Sequence, residues 1–591
     1  MGPPGDVDKA SLKDTIRLDD TNDTIRLDDT NDTIRLDDTN DTIRLDDTPD
    51  STRQLDDIHD PARQLNDTIR VENRPDSSVV PVTWSLPPTS SDFARLVPVN
   101  HQAKIAFHEI ATILKTDGCW NPHCRKFIHV SDVKSKVISG RSKESDTSDG
   151  DTETQEIYTG YFRLNLSILP DKFPQGWIIG AGRSGMDHLG VDFLLTIKGN
   201  RDRVRGRHAS IKHHKVSRHL MIAPAPGKGA VLNGEEVPTD GRVLESVRMG
   251  LTIGNLTFKI EFLPTNVATY NEQLDEIVRE SGTWFTERIE SIDPTPSDNH
   301  LILQGYQIQT PQAFGAYGVV SPCVNTSSGN VYAVKRIQRT QSSFDQIGDE
   351  IAILKLLEKH PHICALTEVI YSDGDDSSMG NRRINDVYMI FEPWAPRTLH
   401  ALMASQVSPS IRWRAFHQGA QGIRYFHSFG VIHRDLKFGN ILVVQLDPLR
   451  VVITDFGHAT TFTNSQDHMK GTISYLPPEI IELKEKSNDP KRTPPDPALR
   501  WSCKSDVYSY GLVGWALRHG YFKRPVDGID KIVHKGLLAT LQNSRTAADE
   551  VLEDMLAWDS DSRLEMREVL LKPCWSEPET PCIEKKRIFP G

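Results

Sequence analysis

The hydrophobic rhythm of the chain changes several times, and each change marks a different kind of segment. From Met1 to about Ser90 apolar residues are sparse. A nine-residue unit, Asp-Thr-Ile-Arg-Leu-Asp-Asp-Thr-Asn, begins there at Asp14, Asp23, Asp32 and Asp41, the last copy ending in Pro49. One Ile and one Leu per unit cannot build a core, and the period is shorter than the ~20–50 residues of stacking repeats. Residues 1–90 are therefore predicted to be a disordered repeat tail, with a neutral tandem expansion as the alternative to a functional one. Residues 91–156 show no clear pattern and close on a polar run, Ser142 to Thr154, read as an acidic linker. Short apolar strands then recur between 157 and 264, among them Trp177–Gly180, Phe193–Ile197, His219–Ile222 and Thr257–Ile260. Turn clusters at Pro224–Gly229 and Asn233-Gly234 separate them, the signature of an all-β sandwich. After a linker, 265–300, the pattern becomes mixed. Ala313–Val320 reads as strand, glycine turn and strand, and Val331–Lys335 as an apolar strand. Phe344–His360 reads as a helix with Ile347, Ile351, Leu354 and Leu357 on one face. A domain at 301–576 and a tail at 577–591 complete the division.

The chemistry concentrates in the mixed segment. His433-Arg434-Asp435-Leu436-Lys437-Phe438-Gly439-Asn440 is followed, after an apolar stretch, by Asp455-Phe456-Gly457. Asp435 can accept a hydroxyl proton, Asn440 and Asp455 can hold magnesium, and Lys437 can reach a migrating phosphate. Upstream, the glycines of Ala313-Phe314-Gly315-Ala316-Tyr317-Gly318-Val319-Val320 let backbone N–H groups approach nucleotide phosphates. Lys335 is placed to grip those phosphates, and Glu350 on the following helix is its natural ion-pair partner.

With these motifs, residues from about Gly305 to Trp575 resemble a eukaryotic protein kinase domain, an α+β bilobal fold. The resemblance makes Lys335 and Glu350 the activating ion pair, Asp435 the catalytic base, and Asn440 and Asp455 the Mg²⁺ ligands. It implies ATP held by Ala313, Gly315, Gly318, Val320 and Lys335, with Phe391 as gatekeeper and Glu392-Pro393-Trp394 as the hinge that meets adenine. Asp506 would brace the catalytic loop, and Arg563 would pair with Glu479. Lys437 and Thr472 point to serine/threonine substrates. Arg434 carries a buried charge wanting a partner, which in this class a phosphate often supplies. Thr460, Thr461, Thr463 and Ser465 are the candidate acceptors. Two departures are Ala313 in place of the first loop glycine and a polar insertion from about Ser372 to Asn385.

The β-rich segment is similar to a forkhead-associated (FHA) domain. The likeness lies in Ile179-Gly180-Ala181-Gly182-Arg183-Ser184, Arg205-Gly206-Arg207-His208 and Val231-Leu232-Asn233-Gly234. That family binds phosphothreonine peptides on loops at one end of a sandwich. By motif, Arg183 grips phosphate, His208 braces the loop from within, and Asn233 shapes the neighbouring loop. Arg205 stands where the family usually has Ser, and a guanidinium also binds phosphate strongly. Thr15, Thr24, Thr33 and Thr42 each place Leu at +3, so the repeats are expected as ligands.

The order of domains is similar to that of FHA-containing checkpoint kinases. The expected partners are protein substrates and phosphothreonine peptides, including the chain's own repeats. The alternative is a catalytically weak kinase-fold scaffold or phosphopeptide adaptor. The formal net charge of −12 argues against a direct nucleic-acid partner. No apolar run approaches the ~20 residues that span a bilayer, so no membrane partner is expected. Seven cysteines and no signal-peptide pattern give an intracellular expectation, nucleus or cytoplasm. Cys119, His123, Cys124 and His129 cluster too loosely to favour zinc and are read as ordinary residues.

Overall fold

The structure is a computed structural model. It describes residues 91–575 apart from 118–119, 139–153, 184–186, 281, 283, 287, 299, 316–317, 373–384, 405–406, 463–464, 489–495 and 521–527. The repeat tail, Thr463, Cys119, nearly all of the acidic linker and of the 372–385 insertion, and the C-terminal tail lie outside the described residues.

Two sheets face each other upstream of the kinase-like segment. The first runs in the order β2-β3-β1-β12-β11-β8-β9. Its strands are β1 (Asp92–Pro98), β2 (Ile128–Ile138), β3 (Thr154–Asn165), β8 (Ala230–Leu232), β9 (Glu235–Glu236), β11 (Arg248–Ile253) and β12 (Leu256–Phe262). The second runs β10-β7-β6-β4-β5. It is built from β4 (Trp177–Gly180), β5 (Phe193–Leu194), β6 (Ala209–His213), β7 (Leu220–Pro224) and β10 (Arg242–Val243). Alternating residues of β12, Leu256, Phe258 and Ile260, meet Trp177, Ile179 and Ile211 of the opposite sheet in one apolar core.

This β-domain is larger than the 157–264 span read from the sequence. β1 lies inside the first sheet between β3 and β12, pairing Leu96 with Ile260. Helix α1 (His101–Thr116) buries Ala103, Phe107, Ile110 and Leu114. Its N-cap Asn100 accepts from the Ala103 N–H at 2.9 Å. The segment read as patternless, 91–156, thus supplies an interior strand. β1 is short and its ladder partner is more than 160 residues away (Arg95 to Glu261), so no local rhythm announces it. Likewise 265–300 is not a bare linker: α2 (Val267–Glu280) sets Tyr270, Leu274 and Ile277 into the sandwich core.

The kinase-like region has two lobes. The N-lobe sheet runs β13-β14-β16-β17-β19-β18, with β15 attached to β16. Its strands are β13 (Leu301–Leu303), β14 (Tyr306–Ile308), β15 (Ala313–Gly315), β16 (Gly318–Asn325), β17 (Val331–Arg339), β18 (Ala365–Tyr371) and β19 (Asn385–Glu392). Helix α3 (Phe344–Leu356) buries Ile347, Glu350, Ile351 and Leu354. The C-lobe is built around α4 (Pro409–Ser428) and α5 (Cys503–His519). Ser502 and Ser505 form a reciprocal capping box at the start of α5. Tyr510 stacks on Phe416 at 4.5 Å and its hydroxyl donates to the Phe416 carbonyl at 2.7 Å. No helix among the described residues is long and apolar enough to cross a membrane.

Candidate active site

Strand β17 carries Lys335 to the inner face of the N-lobe, where α3 presents Glu350. The Lys335 Nζ lies 2.8 Å from Glu350 Oε1 and 3.3 Å from Asp455 Oδ1. Burial disfavours the Lys335 charge, but Glu350 and Asp455 more than offset it, so its pKa rises. Burial also works against the Asp455 carboxylate, and Lys335 and His433 outweigh it, holding its pKa below the ordinary value. Gln346 of α3 donates to the Gly457 carbonyl at 3.2 Å, tying the helix to the Asp455 peptide. Phe456 is buried against His433 and Phe426, with ring centroids 4.9 and 5.7 Å away.

The Asp435 loop is fixed from below by Asp506, at the start of α5. Its buried carboxylate accepts the His433 N–H at 2.7 Å and the Arg434 N–H at 2.9 Å. His427 adds a contact at 3.0 Å. These bonds hold Arg434 in the left-handed region, φ 66°; Asp455 is there too, φ 65°. Such backbone costs about 1–3 kcal/mol per residue and persists only where its surroundings enforce it. Both Asp435 oxygens are engaged. Thr472 donates to Oδ1 at 2.7 Å, Lys437 Nζ lies 2.8 Å from Oδ2, and Asn440 Nδ2 donates to Oδ2 at 3.0 Å. Lys437 also donates to Thr472 Oγ1 at 2.9 Å.

The nucleotide side is a tight hairpin. Ala313 pairs with Val320 and Gly315 with Gly318, while Val320 pairs across the sheet with Lys335. Gly318 has φ 140°, and a Cβ there would meet the Arg336 carbonyl at 2.3 Å, so the position requires glycine. Phe314 stands at the hairpin, 78% exposed; Ala316 and Tyr317 lie outside the described residues. Phe391 is buried at the end of β19, facing Ala333. Glu392 pairs with Lys359 at 2.9 Å. The buried Trp394 indole N–H has no partner among the described residues.

Of the candidate regulatory residues, Thr460 is buried and exchanges both backbone hydrogen bonds with Ile432, at 2.8 and 2.9 Å. Thr461 is exposed. Ser465 accepts from Arg434 Nη1 at 3.1 Å, and Asp467 comes within 4.0 Å of the same nitrogen. Burial lowers the Arg434 pKa, an effect that Asp467 and Asp506 only partly offset. Asp467, His458, whose carbonyl takes the Arg434 Nε–H, and Gln346 escaped sequence reading. They belong to no short motif; only a carboxylate two residues after Ser465 hinted at the first.

Glu479 and Arg563 meet as a buried bidentate pair at 2.6 and 2.8 Å.

In the β-domain, Arg183 lies across Gly206, where an added Cβ would meet its Cγ at 2.5 Å. His208 is buried, accepting the Arg205 N–H at 3.0 Å through Nδ1 and meeting the Gly229 carbonyl at 3.0 Å through Nε2. Arg205 and Arg207 are exposed, and no ion pair to either is found among the described residues. Asn233, φ 50°, is anchored instead to β11, its Oδ1 accepting the Gly250 N–H at 2.8 Å. His123 and Cys124 are buried, His123 meeting Asp192 at 2.8 Å. Among the described residues no group of three or more His, Cys, Asp or Glu is placed to hold a metal.

The protein kinase domain family model matches residues 311–575. Relatives among characterised proteins include the serine/threonine-protein kinase RAD53 of Saccharomyces cerevisiae, 28% identical over 274 residues, covering 44% of this chain and 31% of the relative. CBL-interacting protein kinase 11 of Oryza sativa is 30% identical over 236 residues, 38% of this chain and 41% of the relative. Mitogen-activated protein kinase 12 of Rattus norvegicus is 25% identical over 308 residues, 45% of this chain and 77% of the relative. The match spans less than half the length of RAD53 and of the CBL-interacting kinases. These likenesses place a serine/threonine-type protein kinase domain at residues 311–575.

Proposed function

We propose that the chain is an ATP- and Mg²⁺-dependent protein serine/threonine kinase whose β-domain, an FHA fold, selects phosphothreonine peptides. The observation that carries the catalytic reading is one continuous polar network. Lys335 bridges Glu350 and Asp455, and Asp435 is gripped by Lys437, Thr472 and Asn440.

In this reading Asp435 orients a substrate serine or threonine hydroxyl and takes its proton. Thr472 and Lys437 keep the carboxylate in one rotamer. Lys437 also offsets charge on the transferring phosphoryl group. Lys335, locked by Glu350, holds the nucleotide phosphates. Asn440 spends its amide N–H on Asp435, which leaves its side-chain oxygen uncommitted; that oxygen and the Asp455 carboxylate are hard donors, which suit Mg²⁺. When bound, that ion neutralises phosphate charge. Replacing Asp435 with Asn and following phosphate transfer from labelled ATP tests the reading; wild-type turnover in that variant overturns it. The same assay decides between this reading and the scaffold alternative.

Arg434 supports a regulatory reading at Ser465. Thr460 is sealed by its backbone pairs, whereas the Ser465 hydroxyl already touches the guanidinium. A phosphate there would form charge-assisted bonds to Arg434. Asp467 supplies part of that counter-charge, so basal activity without phosphate is expected. Ser465→Ala should lower the activity of phosphorylated enzyme to the basal level, read on a generic peptide before and after phosphatase treatment.

Arg183 and Arg205, held by a loop that His208 braces, support the phosphate-binding reading. The repeats supply ligands with Thr at 15, 24, 33 and 42 and Leu at +3. A phosphorylated Thr24 peptide that binds no better than its unmodified twin rules this out. An intracellular address fits this reading.

A further inference from the structure

The β-domain and the N-lobe share a built seam. Met221 of β7 and Val243 of β10 close on Val324 of β16 and on Ile292 from the connecting segment. All four are nearly or fully buried, with Ile289 and Val331 at the margin. The Val243 N–H donates to the Thr326 carbonyl at 2.8 Å, joining a β-domain strand to the turn between β16 and β17. In that turn Gly329, φ 75°, sits so close to His214 that an added Cβ would meet the ring at 2.8 Å. The connecting segment is bonded to both sides. Thr286 N–H donates to the Lys215 carbonyl at 3.1 Å, Asp293 N–H donates to Gln309 Oε1 at 3.1 Å, and His300 meets Gln307 at 2.6 Å.

The strands leaving this seam run to the glycine hairpin and Lys335. β16 begins at Gly318 and β17 carries Lys335. Their ladder is unbroken from Val324 opposite Val331 to Val320 opposite Lys335 and Val319 opposite Arg336. A paired two-strand ladder transmits a displacement of its turn along its length, because each rung fixes the next. A module hung on a loose tether would make none of these contacts.

We propose that the β-domain is a positioning element for the nucleotide end of the kinase: its grip on the β16–β17 turn sets where the phosphate loop and Lys335 sit. Met221, Val243 and His214 on one side, with Val324, Thr326 and Gly329 on the other, are the positioning residues. They act through the hairpin and touch no substrate. The proposal rests on the kinase reading for its purpose, and its test separates the two.

The full chain is compared with Met221→Asp, Val324→Asp and the double variant. The readouts are affinity for a non-hydrolysable ATP analogue with Mg²⁺ and amide exchange across residues 318–335. Each single variant should bind the analogue about tenfold more weakly and exchange faster along the hairpin, including around Lys335. The double variant should bind no more weakly than the worse single, since one seam can be opened only once. Unchanged affinity and exchange around Lys335 despite an opened seam overturn the proposal, and so do losses that multiply. A wild-type chain that binds no nucleotide overturns the kinase reading instead, and the exchange data still decide the mechanical claim. If a buried Asp prevents folding, Gly329→Ala with and without His214→Ala replaces it. The methyl alone should weaken binding, and trimming the ring should recover only the part due to the clash, since the left-handed backbone at Gly329 strains any side chain; no loss with the methyl, or no recovery at all, overturns the proposal.

Discussion

The catalytic cleft and the basic loop of the β-domain solve opposite electrostatic problems. In the cleft nearly every charge has an opposite: Lys335 with Glu350 and Asp455, Lys437 with Asp435, and Arg434 with Asp467. The loop brings Arg183 against Gly206, beside the exposed Arg205, and neither guanidinium has an ion-pair partner among the described residues. A buried charge needs a partner at all times, since unpaired it costs several kcal/mol. An exposed one can wait in water for its ligand. The cleft is thus preorganised by internal pairing, whereas the exposed charges of the loop are left to water.

The largest loss is expected at the cleft. Asp455→Asn should remove phosphate transfer by about a thousandfold or more while leaving the melting temperature nearly unchanged. Turnover within tenfold of wild type would falsify the assignment. Next is the pair that supports the cleft without touching it. Glu479→Ala leaves the fully buried Arg563 uncompensated, and should cost about 3–5 kcal/mol, read as a lower melting temperature of the kinase region. At the loop, Arg183→Ala or Arg205→Ala should weaken phosphopeptide binding by about ten- to a hundredfold, the worth of charged hydrogen bonds. Kinase turnover on an untethered peptide should stay the same, and calorimetry beside the peptide assay checks both halves.

The remaining effect is on pH. Burial pushes His213 of β6 down to about 4 and His219 to about 3, from 6.5. Both are neutral in the folded β-domain, whereas the unfolded chain protonates them near 6.5. Their contribution is complete above that value and is lost as pH falls toward 4. For His213 alone this is on the order of 3 kcal/mol. Asp455 is depressed, so its contribution survives to below the ordinary carboxylate range. Lys335 is raised, so its own persists until pH climbs past the ordinary lysine value. Between pH 7 and 5 the β-domain should therefore lose stability, and the kinase region loses some too, because burial also holds His360 down to about 4 and His458 beside the cleft below its ordinary value. Exchange measured at both pH values follows both regions; unchanged protection of the β-domain would show that its histidines are not decisive.

Legibility followed the same divide. The cleft's residues lie in a few short peptides, each with its own local rule. A hydroxyl-accepting Asp is followed two residues on by Lys, a glycine turn sits between strands, and an acid rides on an amphipathic helix. Asp467 and Gln346 were not legible, because their value comes from Arg434 and Gly457, more than 30 and 100 residues away. In the β-domain, β4 and β12 could be read from their apolar runs. β1 could not, since an interior strand is defined by neighbours the local sequence does not contain. Helix α2 passed for a linker because its apolar residues are few and find their core only across the sandwich.

The amino-acid sequence by itself determined the chemistry at 433–457 and the strand rhythm upstream of it, because spacing along one short peptide is a local property. The tertiary structure decided that Ser465 and Asp467 face Arg434, how far the β-domain extends, and that it is joined to the β16–β17 hairpin. Those are matters of which distant surfaces exclude water together. Burial and pairing at long range depend on the whole chain, and no local pattern encodes them.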